Sequence, residues 1–153
     1  MTFPALGGCT SNRCSWSLST FEALRPRDIV FYDGSHCVRT ASDVNWVFFE
    51  VLPRLAPGVW IHLHDLMWPQ DYPTHWVLDT GLSWNEQYLV QAFLMGNAFY
   101  RVRLGVKMLS VLRREEVKAL YPDGFQGGSV WLEKVGRPET AALSSTQPGS
   151  RPV

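Results

Sequence analysis

Two acidic residues, each placed directly after an apolar segment, are the first candidates for chemistry in this 153-residue sequence. Asp33 follows the β-rich run Ile29–Tyr32, and Asp65 follows a second run at residues 59–64. If these runs are neighbouring parallel strands, which lie ~4.8 Å apart, both carboxylates reach one edge of the sheet. Such a pair suits Mg²⁺, which proteins often hold through one or two carboxylates and water. The structural alternative is that Asp33 forms a turn with Gly34 and that Asp65 hydrogen-bonds to the loop backbone.

Three histidines lie close to these acids. His36, three residues after Asp33, has an ordinary pKa near neutrality, which favours substrate binding or general-base catalysis. The alternative is a loop histidine bonded to a backbone carbonyl. His62 and His64 share one face of the second strand, because side chains alternate along a strand. Their spacing is compatible with a transition metal or, with Asp65, a metal hydrolase, although histidines satisfied within the core are the simpler interpretation.

The loop after the second strand is rich in aromatic residues, among them Trp68, Tyr72 and Trp76. Aromatic side chains can line a pocket for a planar or sugar-like group, or they can form a hydrophobic plug. We predict that Trp68 and Tyr72, with His64 at the end of the strand, contact a small-molecule substrate.

The elements that must position these residues follow from the apolar pattern. Residues 40–55 are predicted to form a helix, because apolar residues recur at steps of three and four; they are Val44, Val47, Phe48, Val51, Leu52 and Leu55. Thr40 with Asp43 resembles a capping box. Strand, helix and strand within about 35 residues form a βαβ unit with parallel strands.

The remainder of the chain predicts an antiparallel closing segment. A helix over residues 84–95 is predicted to be capped by Ser83 with Glu86, followed by a strand at 99–104, a short helix at 111–121 and a last strand at 129–134. The domain prediction is therefore a poorly ordered leader (1–17), a folded α/β domain (18–135) and a disordered tail (136–153).

Composition restricts the class of protein. The sequence is 46% hydrophobic with 14 basic and 14 acidic side chains, which argues against disorder and against a nucleic-acid binder. No apolar run approaches the ~18 residues of a membrane span. Three cysteines are too few and too irregular for a disulfide framework, and no signal peptide is evident, so we expect a cytoplasmic protein.

Several motifs in combination resemble the second half of class I S-adenosylmethionine-dependent methyltransferases, most closely the macrocin O-methyltransferase-like group. They are D-I-V-F-Y-D-G-S-H ending at His36, L-P-R-L-A-P-G ending at Gly58, I-H-L-H-D ending at Asp65, the W-N-E-Q-Y helix and the G-S-V-W-L strand. The resemblance covers residues 18–135. It implies a Rossmann-like sheet in which the four predicted strands are strands four to seven, and methylation of an oxygen of a small molecule.

The resemblance also implies roles for single residues. Asp33 and Asp65 match acids that bind Mg²⁺ in metal-dependent members, although Leu66 stands where the catechol-methylating group often has Asn. His36 would lie near the site of methyl transfer as a base, with Asp33 beside it. Asp33, Gly34 and Ser35 would contact the cofactor.

The cofactor-binding half of such an enzyme is not recognisable in these 153 residues. The sequence contains no G-x-G-x-x-G loop, and the 17-residue leader is too short for two βα units of roughly 30 residues each. We therefore expect a truncated methyltransferase that is inactive alone. The alternative is a non-catalytic interaction module, or half of a split enzyme, that pairs through the exposed edge of Ile29–Tyr32 with a complementing chain or with another copy.

Overall fold

The computed structural model describes residues 17–122 and 127–136, in which short helices pack on a four-stranded sheet. The strands are β1 (Ile29–Tyr32), β2 (Trp60–His64), β3 (Tyr100–Gly105) and β4 (Ser129–Lys134). The helices are α1 (Leu18–Glu22), α2 (Asp43–Trp46), α3 (Leu52–Arg54), α4 (Thr74–Leu78), α5 (Glu86–Leu94), α6 (Val106–Leu112) and α7 (Arg114–Leu120), and a π-helical turn (Val47–Val51) joins α2 to α3.

The sheet has the strand order β1-β2-β4-β3. β1 and β2 are parallel, which confirms the predicted βαβ unit, and β4 runs antiparallel to both of its neighbours. β3 and β4 form the predicted antiparallel closing pair, although α6 and α7 lie between them in the chain. β1, β2 and β3 therefore all end at one edge of the sheet, and the mixed α/β sheet fits a partial Rossmann-like fold.

One face of the sheet and the helix that follows β1 form the core. The six apolar residues of the predicted helical stripe are all buried. They pack in one cluster with sheet residues Val30, Ile61, Leu63, Val130 and Leu132. Full burial of an aliphatic side chain of this kind contributes about 1.5–3 kcal/mol, so this layer holds the strands that carry the acids.

The helix widens at the π-helical turn because of Pro53. A proline ring clashes with the carbonyl four residues earlier in an α-helix, and it has no N–H to donate. Here the Leu52 N–H donates to the Val47 carbonyl, five residues back. The end of this segment is closed by buried Lys134 of β4, whose Nζ donates to the carbonyls of Leu52 at 3.0 Å and Pro53 at 3.2 Å.

Several predicted helix boundaries were wrong. The first long helix is capped by Ser42, whose Oγ accepts from the Asn45 N–H, and not by Thr40. The helix predicted at 84–95 begins at Glu86, and Ser83 does not cap it. The short helix predicted at 111–121 is two helices, α6 and α7, separated at Arg113.

Apart from Ser17 and Gly136, the predicted leader and tail lie outside the described residues. None of the helices within the described ranges is long and apolar enough to cross a lipid bilayer.

Candidate active site at the ends of the parallel strands

The ends of β1 and β2 bring together the two acids singled out from the sequence. Tyr32 and Leu63 are register partners. Asp33, His36 and Asp65 each offer a ligand atom, and these atoms all lie within 4.8 Å of one another. The parallel pairing therefore delivers two carboxylates and an imidazole to one edge of the sheet.

The turn after β1 is held by Asp43 at the start of α2. Its carboxylate accepts hydrogen bonds from the Ser35 N–H at 2.8 Å, the Ser35 hydroxyl at 2.5 Å and the Tyr32 hydroxyl at 2.9 Å. Burial alone would raise the pKa of Asp43, but these hydrogen bonds outweigh it and lower the pKa. A Cβ added to Gly34 would lie 2.2 Å from Asp43 Oδ2, so only glycine fits beneath this carboxylate.

Two site residues adopt a left-handed backbone that non-glycine residues rarely take. His36 has φ 54° and Asp65 has φ 53°. The His36 conformation is held from α5, because its carbonyl accepts from the N–H groups of Asn85 at 2.9 Å and Glu86 at 3.1 Å. The Asn85 side chain also accepts from the Val38 N–H at 2.5 Å. The start of α5 therefore clamps the loop that follows β1.

The His36 ring lies between two carboxylates. Its Nδ1 is 2.8 Å from Glu86 Oε2, and its Nε2 is 3.2 Å from Asp33 Oδ1. The Trp84 ring covers the imidazole at a centroid distance of 4.2 Å. The side chains of Glu86 and His36 are 1% and 4% exposed, whereas that of Asp33 is 45% exposed. This Glu86–His36–Asp33 chain leads from the core to the surface.

Burial and charge act in opposite directions on this chain. Burial alone would lower the pKa of His36, but the hydrogen bond and charge of Glu86, with the charge of Asp33, outweigh it, so the pKa is raised. Burial raises the pKa of Glu86, and the hydrogen bond from His36 only partly opposes that shift. The pair therefore retains its shared proton to a higher pH than an exposed histidine would.

The predicted substrate-contact residues occupy different environments. The His64 side chain is 40% exposed, and its Nδ1 lies 3.1 Å from Asp65 Oδ1 and 3.9 Å from Asp33 Oδ1. Trp68 packs against the core. Tyr72 is buried in an aromatic cluster with Trp76, Trp84 and Tyr88. Of the three, only His64 lies against the acids, and substrate contact by each of them stays a prediction.

His62 supports the structural alternative for the strand histidines. Its ring stacks on Trp131 at a centroid distance of 4.3 Å and an interplanar angle of 12°. Burial and the neighbouring His64 lower its pKa. The group of side chains that could hold a metal within the described residues does not include His62.

Glu86 is the site residue that sequence reasoning missed. The sequence assigns it to the capping of a helix, yet its side chain turns into the core and meets a histidine 50 residues earlier in the chain. The sequence did indicate that the Glu86 side chain faces inward, because Glu86 lies four residues before the buried Val90 and therefore on the same face of α5.

A comparison with protein families connects this geometry to a chemistry. The family model described as "Methyltransferase domain" matches residues 6–66, a range that contains β1, β2 and all three residues that converge at the sheet edge. No curated protein and no solved structure matches significantly. The match supports a methyltransferase domain, and domains of this kind in general depend on S-adenosylmethionine.

Proposed function

We propose that this chain serves in S-adenosylmethionine-dependent methylation of an oxygen of a small molecule, as a cytoplasmic class I transferase similar to the macrocin O-methyltransferase-like group. The family match and the sheet topology support this proposal. In chain order, β1 to β4 would be strands four to seven of a seven-stranded Rossmann-like sheet. The open side of β1 is where such a sheet would continue.

The Glu86–His36–Asp33 chain is the observation that carries the proposal. S-adenosylmethionine, when bound, supplies a methyl group whose carbon–sulfur bond breaks as the acceptor oxygen bonds to the carbon. That reaction requires removal of the acceptor proton. The exposed Asp33 carboxylate would accept a hydrogen bond from the acceptor hydroxyl and pass the proton to Nε2 of His36. The resulting imidazolium would lie between two carboxylates, which stabilise its charge.

The residues at the edge also fit a divalent cation. Asp33 and Asp65 supply the hard oxygen ligands that Mg²⁺ prefers, and the imidazole of His36 is a donor better suited to softer metals. We propose that Asp33 and Asp65 would hold Mg²⁺, with water completing its coordination. An ion there would lower the pKa of an acceptor hydroxyl.

The described residues supply only part of a cofactor site. Asp33 is accessible, but both hydrogen-bonding groups of Ser35 are already engaged by Asp43, and Gly34 is covered by the same carboxylate. The sequence also lacks a glycine-rich phosphate-type loop. A polypeptide of these 153 residues should therefore bind the cofactor weakly and be inactive alone, so that a further segment or chain supplies the remaining contacts.

Cofactor binding and methyl transfer test this proposal in two steps. Calorimetric titration of the 153-residue polypeptide should show no micromolar binding of S-adenosylmethionine, and micromolar binding would overturn the partial-site argument. Co-expression with the product of the upstream reading frame should give transfer of a labelled methyl group to hydroxylated small molecules. Asp33→Asn and His36→Gln should abolish that transfer, whereas the surface control Glu50→Gln should not. Transfer that survives both site variants would refute the base assignment.

A second candidate function rests on the open edge of β1. Among the described residues β1 pairs with β2 alone, and its residues are apolar. Such an edge can accept a strand from another polypeptide, which makes a non-catalytic pairing module the alternative. Size-exclusion chromatography with light scattering discriminates the two candidates. A stable oligomer would support the pairing module, and a monomer at working concentration would exclude self-pairing.

A further inference from the structure

A cavity of ≈ 320 Å³ lies between the loop after β2 and the helix α6. Its lining residues are Gln70, Lys107, Ser110, Val111 and Arg114. This volume is at the lower end of the range of small-molecule sites. The cavity shares no lining residue with the Glu86–His36–Asp33 chain, so it is a separate feature of the surface.

The topology places this cavity at the same edge of the sheet as Asp33 and Asp65. His64 pairs with Ser129 and Gly105 pairs with Val130, so β2 and β3 end at the same edge of the sheet, on either side of β4. α6 starts directly after β3, which puts Lys107 two residues beyond that edge. Gln70 lies five residues after Asp65, in the loop that leaves β2.

The loop that forms the other wall is anchored to α5. The Gln87 side chain accepts from the Met67 N–H at 3.3 Å and donates to the Gln70 carbonyl at 3.4 Å. Gln87 directly follows Glu86, the buried end of the Glu86–His36–Asp33 chain. The cavity and the proposed catalytic residues are therefore held by the same short stretch of helix.

The charges that line the cavity are positive and unpaired. Neither Lys107 nor Arg114 forms a side-chain hydrogen bond or an ion pair with any residue of the described ranges. The nearest acid along the loop, Asp71, is occupied by the Tyr88 hydroxyl at 2.5 Å and by Gln87 Nε2 at 3.2 Å.

The first turn of α7 carries two acids, Glu115 and Glu116; Glu115 does not line the cavity, and Glu116 is paired with Arg113. Glu116 accepts two hydrogen bonds from Arg113, each of 2.6 Å. No carboxylate is among the cavity's lining residues. Two cations and a carboxamide around one cavity favour an oxyanion, because charge-assisted hydrogen bonds from lysine and arginine to such groups are strong.

We propose that this cavity binds an anionic oxygen group of the methyl acceptor, a phosphate or a carboxylate, while a hydroxyl of the same molecule reaches Asp33. This inference rests on the proposed function for the identity of the ligand as an acceptor. It defines the substrate class as small, hydroxylated acids. The balanced net charge of the chain argues against a nucleic acid as the source of the anion.

Anion binding can be measured without methyl transfer. Inorganic phosphate and acetate are titrated into the isotope-labelled 153-residue polypeptide at low ionic strength and followed by NMR. We expect saturable shifts of the amides of residues 107–114 and of Gln70. Lys107→Gln with Arg114→Gln should weaken binding by about tenfold per cation, which corresponds to about 1.4 kcal/mol for each lost charge-assisted hydrogen bond. The charge-preserving pair Lys107→Arg and Arg114→Lys should retain binding.

Lys118→Gln on α7 is the matched control, because it removes an exposed positive charge outside the cavity. If neither anion shifts these amides up to about 10 mM, which is ten times a 1 mM dissociation constant, the inference is wrong. It is equally wrong if the double variant binds as well as the unaltered chain. The relative affinity for phosphate and acetate identifies the anion. Asp33→Asn should leave anion binding unchanged, so loss of methyl transfer and loss of anion binding are distinguishable failures.

Discussion

Replacement of Glu86 is the sharpest probe of the site, because this carboxylate is almost fully buried and contacts the imidazole directly. Glu86→Gln retains the size of the side chain and one acceptor for His36 Nδ1 but removes the charge. Glu86→Ala removes both. In each variant the pKa of His36 should fall from its raised value towards or below the ordinary 6.5, since its main stabilising partner is lost while its burial remains.

The cost of the alanine variant should depend on pH. A group whose pKa is raised on folding contributes stability that is fully present below its unfolded-state pKa and is lost as the pH rises through its folded-state pKa. Below pH 6.5 the unaltered protein holds a buried imidazolium against Glu86, and the variant must either keep that charge without its closest carboxylate or release the proton, which costs up to about 3–5 kcal/mol. At higher pH it leaves a neutral N–H donor unsatisfied, which costs about 1–3 kcal/mol. Glu86→Gln should cost less at both extremes.

Two measurements check this reasoning. NMR titration of the His36 ring reports its pKa, and urea unfolding between about pH 5 and 8 reports the stability of each variant. Glu50→Gln is the control, because Glu50 forms an exposed ion pair with Arg54 and its loss should cost less than ~1 kcal/mol at every pH. If the pKa of His36 is the same in Glu86→Gln as in the unaltered protein, Glu86 and His36 do not share a proton. The proposed role of the Glu86–His36–Asp33 chain is then wrong.

Three further substitutions test other parts of the structure. Gly34→Ala should destabilise the protein by about 1–3 kcal/mol in urea unfolding, because the added methyl would lie 2.2 Å from an Asp43 oxygen. Asp43→Asn should reduce stability near neutral pH. Its lowered pKa contributes stability above the ordinary value of 3.8 that is lost as the pH falls through the folded-state value, so this variant should lose less stability on acidification than the unaltered chain. An equal acid dependence of the two proteins would contradict this. Lys134→Met should cost about 1–3 kcal/mol, because the Pro53 carbonyl loses the Lys134 Nζ donor, whereas the Leu52 carbonyl still accepts from the Leu55 N–H and the Tyr100 hydroxyl; thermal unfolding with no loss would show that the buried lysine is dispensable.

Sequence reasoning succeeded where the physical signal is local. The continuous apolar run at 29–32 predicted a strand, and the three-and-four spacing of the next segment predicted a helix with one buried face; the structure confirms both elements, with one face of β1 buried and the other half-buried. Asp33 and Asp65 could be placed at one edge because parallel strands have a fixed spacing. These inferences need only the alternation of side chains and the geometry of neighbouring strands.

The contacts that complete the site are not local. The contact between Glu86 and His36 joins residues 50 apart, and no periodicity of either segment records it. Ser42 displaced Thr40 as the helix cap because Asp43 turns away from the helix towards the loop after β1. The π-helical turn depends on a proline within an otherwise regular apolar stripe, a pattern that predicts a boundary more readily than a widened helix. In the first two cases a tertiary partner overrode a local preference, and in the third a local proline changed the form of the helix.

The left-handed backbone of His36 and Asp65 has a consequence for how this protein can change. Holding a non-glycine residue in that conformation costs roughly 1–3 kcal/mol, a penalty that glycine would not incur. A descendant with no further use for a carboxylate at position 65 would gain folding stability from a glycine there, whereas at position 36 the loss of the contacts with Glu86 and Asp33 would offset that gain. Selection for folding stability and selection for a reactive carboxylate therefore act in opposite directions at position 65.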